Sequence, residues 1–438
     1  MTTTPQNSTN FDPWFANYAD RTAQLSASEV RALFAVASRP EVVSLAGGMP
    51  YVSALPQELI QETMQRVIAE HGAAALQYGG GNGILPLREQ ILEVMELEGI
   101  QASADNVVVT TGSQQALDLV SKLFLNPGDV ILAESPSYVG ALGVFKSYQA
   151  DVRHVLMDND GLIPAALIAE IAKVRAEGKA IKFLYLIPNF HNPAGITLSW
   201  ERRVEILEIA RTNHILILED NPYGQLYFEG APPRSLRSLD SENVIYLGSF
   251  SKTFAPGFRT GWALAPHAIR EKLILASEAA ILSPSNFAQY SISEFLANSD
   301  WRQQIQTFRG VYHERKNATI AALEQYLPRL SWTNPNGGFY IWLTLPEQLD
   351  SKAMLPRAVK ELVAYTPGTA FFANGEGTGN IRLCYSYPTP ERIHEGVRRL
   401  ATVINNELEL VNTFHTATTP IRQLHPEDRV TSPPPNIG

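Results

Sequence analysis

The sequence predicts an α/β fold: a large domain with a mostly parallel, seven-stranded sheet sandwiched by helices, and a smaller α+β domain. Three observations carry this. The chain has 438 residues, more than one hydrophobic core usually fills, so two domains are expected. Seven short apolar runs follow one another between residues 106 and 266, most without polar alternation, as in strands covered on both faces. Helix-like stretches such as "SQQALDLVSKLFL" and "SWERRVEILEIARTN" separate many of them, the alternation that builds a parallel sheet.

Each segment has its own reason. Residues 1–11 are Thr/Asn/Gln/Ser-rich and are expected to be disordered. Residues 12–45, with a helix near 26–37, are expected to form an arm packed on the small domain. The large domain is assigned to 46–275. Its strands are "NVVVTTG" (106–112), "DVILAES" (129–135), "DVRHVLM" (151–157), "KFLYLIP" (182–188), "ILILED" (215–220), "VIYLGSF" (244–250) and "TGWALAP" (260–266). The pattern then changes. Long helical stretches at 268–282 and 300–326 precede two strands, "GGFYIWLTL" and "NIRLCYS", and a last helix over 389–408, so 276–410 is assigned to the small domain. Residues 411–438 are rich in proline and are expected to be an irregular or disordered tail.

Composition narrows the function. The net charge is −9 with no concentration of Lys or Arg, which argues against nucleic acid and anionic membranes as partners. No apolar run reaches the ~20 residues of a membrane helix. The opening "MTTTPQNSTNFDPW" lacks a secretory pattern. Cys384 is the only cysteine, which removes intrachain disulfides and zinc cages and fits a reducing, cytoplasmic setting.

Ligands of such sheets sit at the carboxyl ends of the strands, and the residues there are unusual. Gly112, Ser113 and Gln114 open a helix, where free N–H groups attract anions. Asn192 precedes a proline in "NFHNPAG". Asp220 ends an apolar strand, where a carboxylate is costly without a compensating partner, and Tyr223 follows across a turn. "GSFSK" supplies Ser249, Ser251 and Lys252, with Arg259, a fork suited to phosphate, seven residues on. Each alone has an ordinary alternative: a helix cap, a turn signal, a solvated strand end. Together they ask for a ligand with a phosphate, a protonatable ring nitrogen, a ring hydroxyl and an aldehyde. Pyridoxal 5′-phosphate (PLP) has all four.

"SFSKTFAPGFRTGW", "TTGSQQALDLV", "PNFHNPAG", "EDNPYG" and "YGGGNGILPLREQI" resemble the fold-type I PLP-dependent aminotransferases of class I/II. "SEVRALF", "SLAGGMP" and "TPGTAFFANG" are similar to the 2-aminoadipate and kynurenine/aminoadipate branch. The resemblance spans about residues 20–408. It implies ping-pong transfer of an amino group between an α-amino acid and a 2-oxo acid. Glutamate/2-oxoglutarate is one expected pair; 2-aminoadipate, aromatic or branched-chain amino acids form the other.

The resemblance also implies roles. Lys252 is joined to the cofactor's aldehyde and, once freed, carries the Cα proton. Asp220 keeps the ring nitrogen protonated. Tyr223 and Asn192 hydrogen-bond the ring oxygen, and Tyr138 stacks on the ring. Ser113, Gln114, Ser249, Ser251 and Arg259 hold the phosphate, with Tyr78 reaching it in the neighbouring subunit of a homodimer. Arg382, the lone cation of an apolar strand, clamps the substrate α-carboxylate; an internal salt bridge is the alternative. Ser28 and Arg31, one turn apart, greet an acidic side chain or else cap a helix and face solvent. Gly48 lets backbone approach the substrate. Phe190, His191 and Ala194 are expected to reshape the side-chain pocket. Two rivals stay open: another PLP chemistry on this scaffold (β-lyase, decarboxylase or synthase) and a non-catalytic PLP-binding module. The second is weakened because only about 25 residues precede the resemblance, too few for a DNA-binding domain.

Overall fold

The computed structural model describes residues 12–25 and 39–417. A short strand, β1 (Val43–Ser44), leads into α1 (Gln57–Ala75) and α2 (Leu85–Glu96). The main sheet then begins: β2 (Val107–Thr110), α3 (Ser113–Phe124), β3 (Val130–Ser135), α4 (Val139–Ser147), β4 (Asp151–Asp158), β5 (Gly161–Leu162), α5 (Pro164–Ala176), β6 (Ile181–Leu186), α6 (Trp200–Thr212), β7 (Leu216–Asp220), β8 (Val244–Ser249) and β9 (Gly261–Leu264). All seven expected strands are present. Their spatial order is β2-β9-β8-β7-β6-β3-β4-β5. The run from β4 through β3, β6 and β7 to β8 is parallel, and β9 is antiparallel to both its neighbours. The eighth strand, β5, is a two-residue return paired with β4, too short to show a period in the sequence.

Alternation places side chains on opposite faces. Ile131 and Ala133 of β3 pack with Leu117 and Val120 of α3 and Phe145 of α4. Val130 and Leu132 pack the other way, with Ile171 of α5 and Ile206 of α6. Both faces are therefore covered, which is why the strands are continuously apolar.

Beyond β9 come α7 (His267–Ile281), α8 (Asn286–Asn298) and α9 (Trp301–Tyr326), then a second sheet of β10 (Ser331–Trp332), β11 (Tyr340–Thr344), β13 (Thr366–Pro367) and β14 (Asn380–Cys384). Its order is β10-β11-β14-β13, all antiparallel. Helix α10 (Ser351–Lys360) starts at Asp350, whose carboxylate caps the Lys352 and Ala353 amides, and leads to β12 (Val363–Ala364). The last helix, α11 (Pro390–Ala417), packs along α9.

Three boundaries differ from expectation. The expected boundary at 275/276 falls inside α7, and α8, beyond it, lies against α1 and α2. Helix α11 continues to Ala417, past both the expected helix end at 408 and the expected domain end at 410, so 411–417 is helical rather than irregular. The arm touches both bodies: β1 pairs in parallel with β12, while the turn at Asp20–Gln24 lies against α4. The expected helix near 26–37 and the remaining tail lie outside the described residues. Among the described residues, no helix is long and apolar enough to cross a membrane.

Candidate active site

The carboxyl ends of β6, β7 and β8 and the start of α3 surround a cavity of about 370 Å³, closed from above by the segment after β1 and by β14. Asp220 is the last residue of β7 and Ser249 the last of β8. Tyr223, Ser251, Lys252 and Asn192 lie on the loops beyond. Ser113 and Gln114 open α3, Tyr138 immediately precedes α4, Arg259 stands before β9, Arg382 lies on β14, and Gly48 comes from the chain after β1. All twelve line this one cavity. Tyr78 does not. It sits between α1 and α2 and is 77% exposed. Ser28 and Arg31 lie outside the described residues.

Lys252 Nζ donates to the Gly48 carbonyl at 3.0 Å. Burial brings its pKa down to about 8, helped by the nearby cations Arg259 and Arg382 and opposed by Cys384. An amine so tuned exchanges protons near neutrality, unlike an ordinary lysine. A Cβ at Gly48 would run into the Tyr340 hydroxyl, so glycine is needed for the backbone to reach this spot.

Asp220 is 3% exposed. Its Oδ2 accepts from Tyr185 Oη at 2.7 Å, while buried Oδ1 has no partner among the described residues. Burial pushes its pKa up to about 6, and the tyrosine bond pulls the other way. Burying a carboxylate oxygen without a donor is costly, so the bare Oδ1 calls for a protonated ligand atom.

The anion cradle has a distinct backbone. Gly112 has φ 77° just before α3, and Arg259 itself is left-handed at φ 48°, ψ 48°, uncommon for a non-glycine residue and typical of functional sites. Arg259 Nη1 lies 3.3 Å from Ser251 Oγ and from the Pro256 carbonyl. A Cβ at Gly112 would collide with the guanidinium. Gln114 turns its side chain to the Gly140 carbonyl (3.0 Å), with Tyr138 Oη at 3.4 Å. Ser249 Oγ accepts from the Ser251 amide.

Arg382 is 3% exposed. It donates to Asn192 Oδ1 (2.9 Å), the Ala46 carbonyl (2.6 Å) and Thr366 Oγ1 (3.2 Å). Its guanidinium stands between the Tyr340 and Phe371 rings. Among the described residues its Nε has no partner and no carboxylate pairs with it. The internal salt bridge that the sequence left open is absent there.

Two tyrosines escaped the sequence reading. Tyr185 and Tyr340 sit within apolar strands and read as core aromatics; only the need of a buried hydroxyl for a partner hinted otherwise. One expectation is overturned. Phe190, His191 and Ala194 do not line the cavity. Phe190 is buried under Gly337 and Gly338, and His191 faces Glu134 at 3.2 Å while accepting from the Ala194 amide. Their loop turns these side chains into the protein.

A bare carboxylate oxygen, an amine of lowered pKa, a helix start facing a left-handed arginine and a guanidinium with no carboxylate partner among the described residues fit the ring nitrogen, aldehyde and phosphate of PLP and the carboxylate of an amino acid. The chain belongs to the aminotransferase class I and II family, whose model matches residues 40–400, and is a PLP-dependent transaminase. It is 40% identical over 396 residues to aromatic-amino-acid aminotransferase 1 of Thermococcus litoralis, covering 90% of this chain and 95% of that one. Its fold superposes on Pyrococcus horikoshii kynurenine aminotransferase, solved with PMP and kynurenine, with a TM-score of 0.86, 37% identity and coverage of 89% and 97%. Against the alpha-aminoadipate aminotransferase of Thermus thermophilus, complexed with N-(5′-phosphopyridoxyl)-L-leucine, the TM-score is 0.83 at 35% identity, covering 91% and 99%.

Proposed function

We propose that this transaminase uses glutamate and 2-oxoglutarate as one amino donor–acceptor pair and 2-aminoadipate, an aromatic or a branched-chain amino acid as the other. The observation that carries an α-amino acid substrate is Arg382: a buried guanidinium without a carboxylate among the described residues, lining the same cavity as Lys252 and Asp220. A bidentate bond to the α-carboxylate supplies the missing partner. PLP bound here would supply an electron sink for the pair of electrons released at Cα. Asp220 keeps the ring nitrogen protonated through Oδ1. Lys252 Nζ holds the cofactor, then takes the Cα proton and returns it. Tyr223 and Asn192 serve the ring oxygen, and Tyr138 covers the ring. Ser113, Gln114, Ser249, Ser251 and Arg259 hold the phosphate.

Exposed Tyr78 supports a homodimer in which Tyr78 of the partner subunit completes the phosphate site. The side chain of the substrate has room. A second cavity of about 560 Å³, lined by Arg39, Tyr51, Tyr387 and Arg392 among others, meets the first at Met49. Its tyrosines suit aromatic groups and its arginines acidic ones, and Ser28 with Arg31 would add to the acidic preference. Buried, unpaired Cys384 favours the cytoplasm.

The test is a screen of purified holoenzyme with amino donors against 2-oxoglutarate. Glutamate and at least one long or aromatic donor should convert bound PLP to its amine form. If only small donors such as alanine react, the substrate proposal fails. Pyruvate or carbon dioxide release without amino exchange would indicate a lyase or decarboxylase instead.

A further inference from the structure

Two tyrosine hydroxyls meet in the cavity wall. Tyr223 Oη and Tyr340 Oη lie 3.1 Å apart, both buried, and among the described residues neither has another hydrogen-bond partner. The roles above use only Tyr223. We propose that Tyr340 is a positioning residue whose hydroxyl donates to the Tyr223 oxygen and thereby turns the Tyr223 proton toward the cofactor's ring oxygen. The inference rests on the assignment of Tyr223 to that oxygen.

The two rings come from different bodies. Tyr223 lies in the turn after β7, and Tyr340 opens β11, paired opposite Cys384 on β14. Tyr340 is held firmly. The Arg382 guanidinium lies 4.3 Å from its ring centre, and it meets the Tyr223 ring edge-on at 88°. Its hydroxyl fills the space that a side chain at Gly48 would occupy.

Two hydroxyls at this distance can bond in either direction. If Tyr223 donated to Tyr340, its one proton would be used and the ring oxygen would lose a donor. If Tyr340 donates, both protons run the same way, and each bond polarises the next. Both phenols have a proton to give at neutral pH. Burial pushes Tyr340 up to about 12 and Tyr223 well above its ordinary value.

A hydrogen bond donated to the ring oxygen stabilises its anionic form. Weakening that bond makes the oxygen hold a proton more tightly, so the pH at which the bound cofactor changes its visible absorption must rise. The experiment titrates the absorption of the holoenzyme for the wild type, Tyr223→Phe, Tyr340→Phe and the double variant. Tyr340→Phe keeps the ring and its stack on Arg382, so packing alone should move nothing. Tyr223→Phe should raise the midpoint most. Tyr340→Phe should raise it by a few tenths of a pH unit and add nothing once Tyr223 is Phe. A wild-type midpoint in Tyr340→Phe, with a raised one in Tyr223→Phe, overturns the relay but leaves the Tyr223 assignment standing. Shifts that sum in the double variant also overturn it, because Tyr340 would then act independently. An unmoved midpoint in Tyr223→Phe removes the assignment itself, and the relay with it.

Discussion

Glu219 and Asp220 are adjacent on β7, both buried, and they leave opposite faces of the sheet. The chain itself satisfies Glu219: its oxygens accept from Ser235 Oγ (2.6 Å), the Leu236 amide (3.1 Å) and the Arg237 amide (2.9 Å). Among the described residues Asp220 has Tyr185 on one oxygen and nothing on the other. The arginines repeat the contrast. Arg203, behind the sheet, donates to the Leu198, Arg234 and Pro188 carbonyls and to Asn189 Oδ1, whereas Arg382 keeps a bare Nε. Burial shifts the pKa of both carboxylates upward. In these two pairs, the member that lines the cavity is the one whose hydrogen bonding the described residues leave unfinished.

Substitutions can break that contrast. The largest effect should come from Lys252→Ala: a folded protein whose turnover falls by about 10⁴-fold or more. Activity above a hundredth of wild type would place the proton carrier elsewhere.

Asp220→Asn should cost about 10²–10³-fold in kcat yet stabilise the cofactor-free protein. The folded pKa of about 6 lies above the ordinary ~3.9, so the penalty of the buried charge is complete above pH 6 and fades as pH falls toward 4. The variant should gain up to about 3 kcal/mol at pH 8 and almost nothing at pH 4. Urea unfolding at the two pH values measures this; equal gains at both would remove the linkage argument.

Arg382→Lys should raise KM for the amino acid about 10- to 100-fold, because lysine loses the paired geometry. Arg203→Lys should leave KM alone and lower stability. An unchanged KM in the first variant would break the comparison of the two arginines. The smallest effect is expected of Ser235→Ala, which leaves Glu219 one donor short: about 1–2 kcal/mol of stability and kcat within twofold.

Much of this was legible in the sequence, for identifiable reasons. The seven strands announced themselves because strands covered on both faces cannot hide their apolar runs. The cavity residues stood at strand ends, where Asp220 and Lys252 broke the pattern. Strands of two residues such as β5 and β12 carry no period. Helix α8 lay beyond the last strand, with a small, partly polar surface, and nothing local tied it to α1. Tyr340 was hidden for another reason: the strand pattern shows that it is buried, and only the fold shows against what.

Residues 46–48 join the two halves of the chemistry. The Ala46 carbonyl takes hydrogen bonds from Arg382 and Thr366, and the Gly48 carbonyl takes one from Lys252. Only two residues along the chain separate these carbonyls, so a few covalent bonds limit how far apart they can stand. The interval between the group that would grip a carboxylate and the group that would take the neighbouring proton is thus gauged by covalent bonds, whatever small shifts the two sheets make. Adding or deleting a single residue in this tripeptide would mis-set that interval while leaving every functional side chain in place.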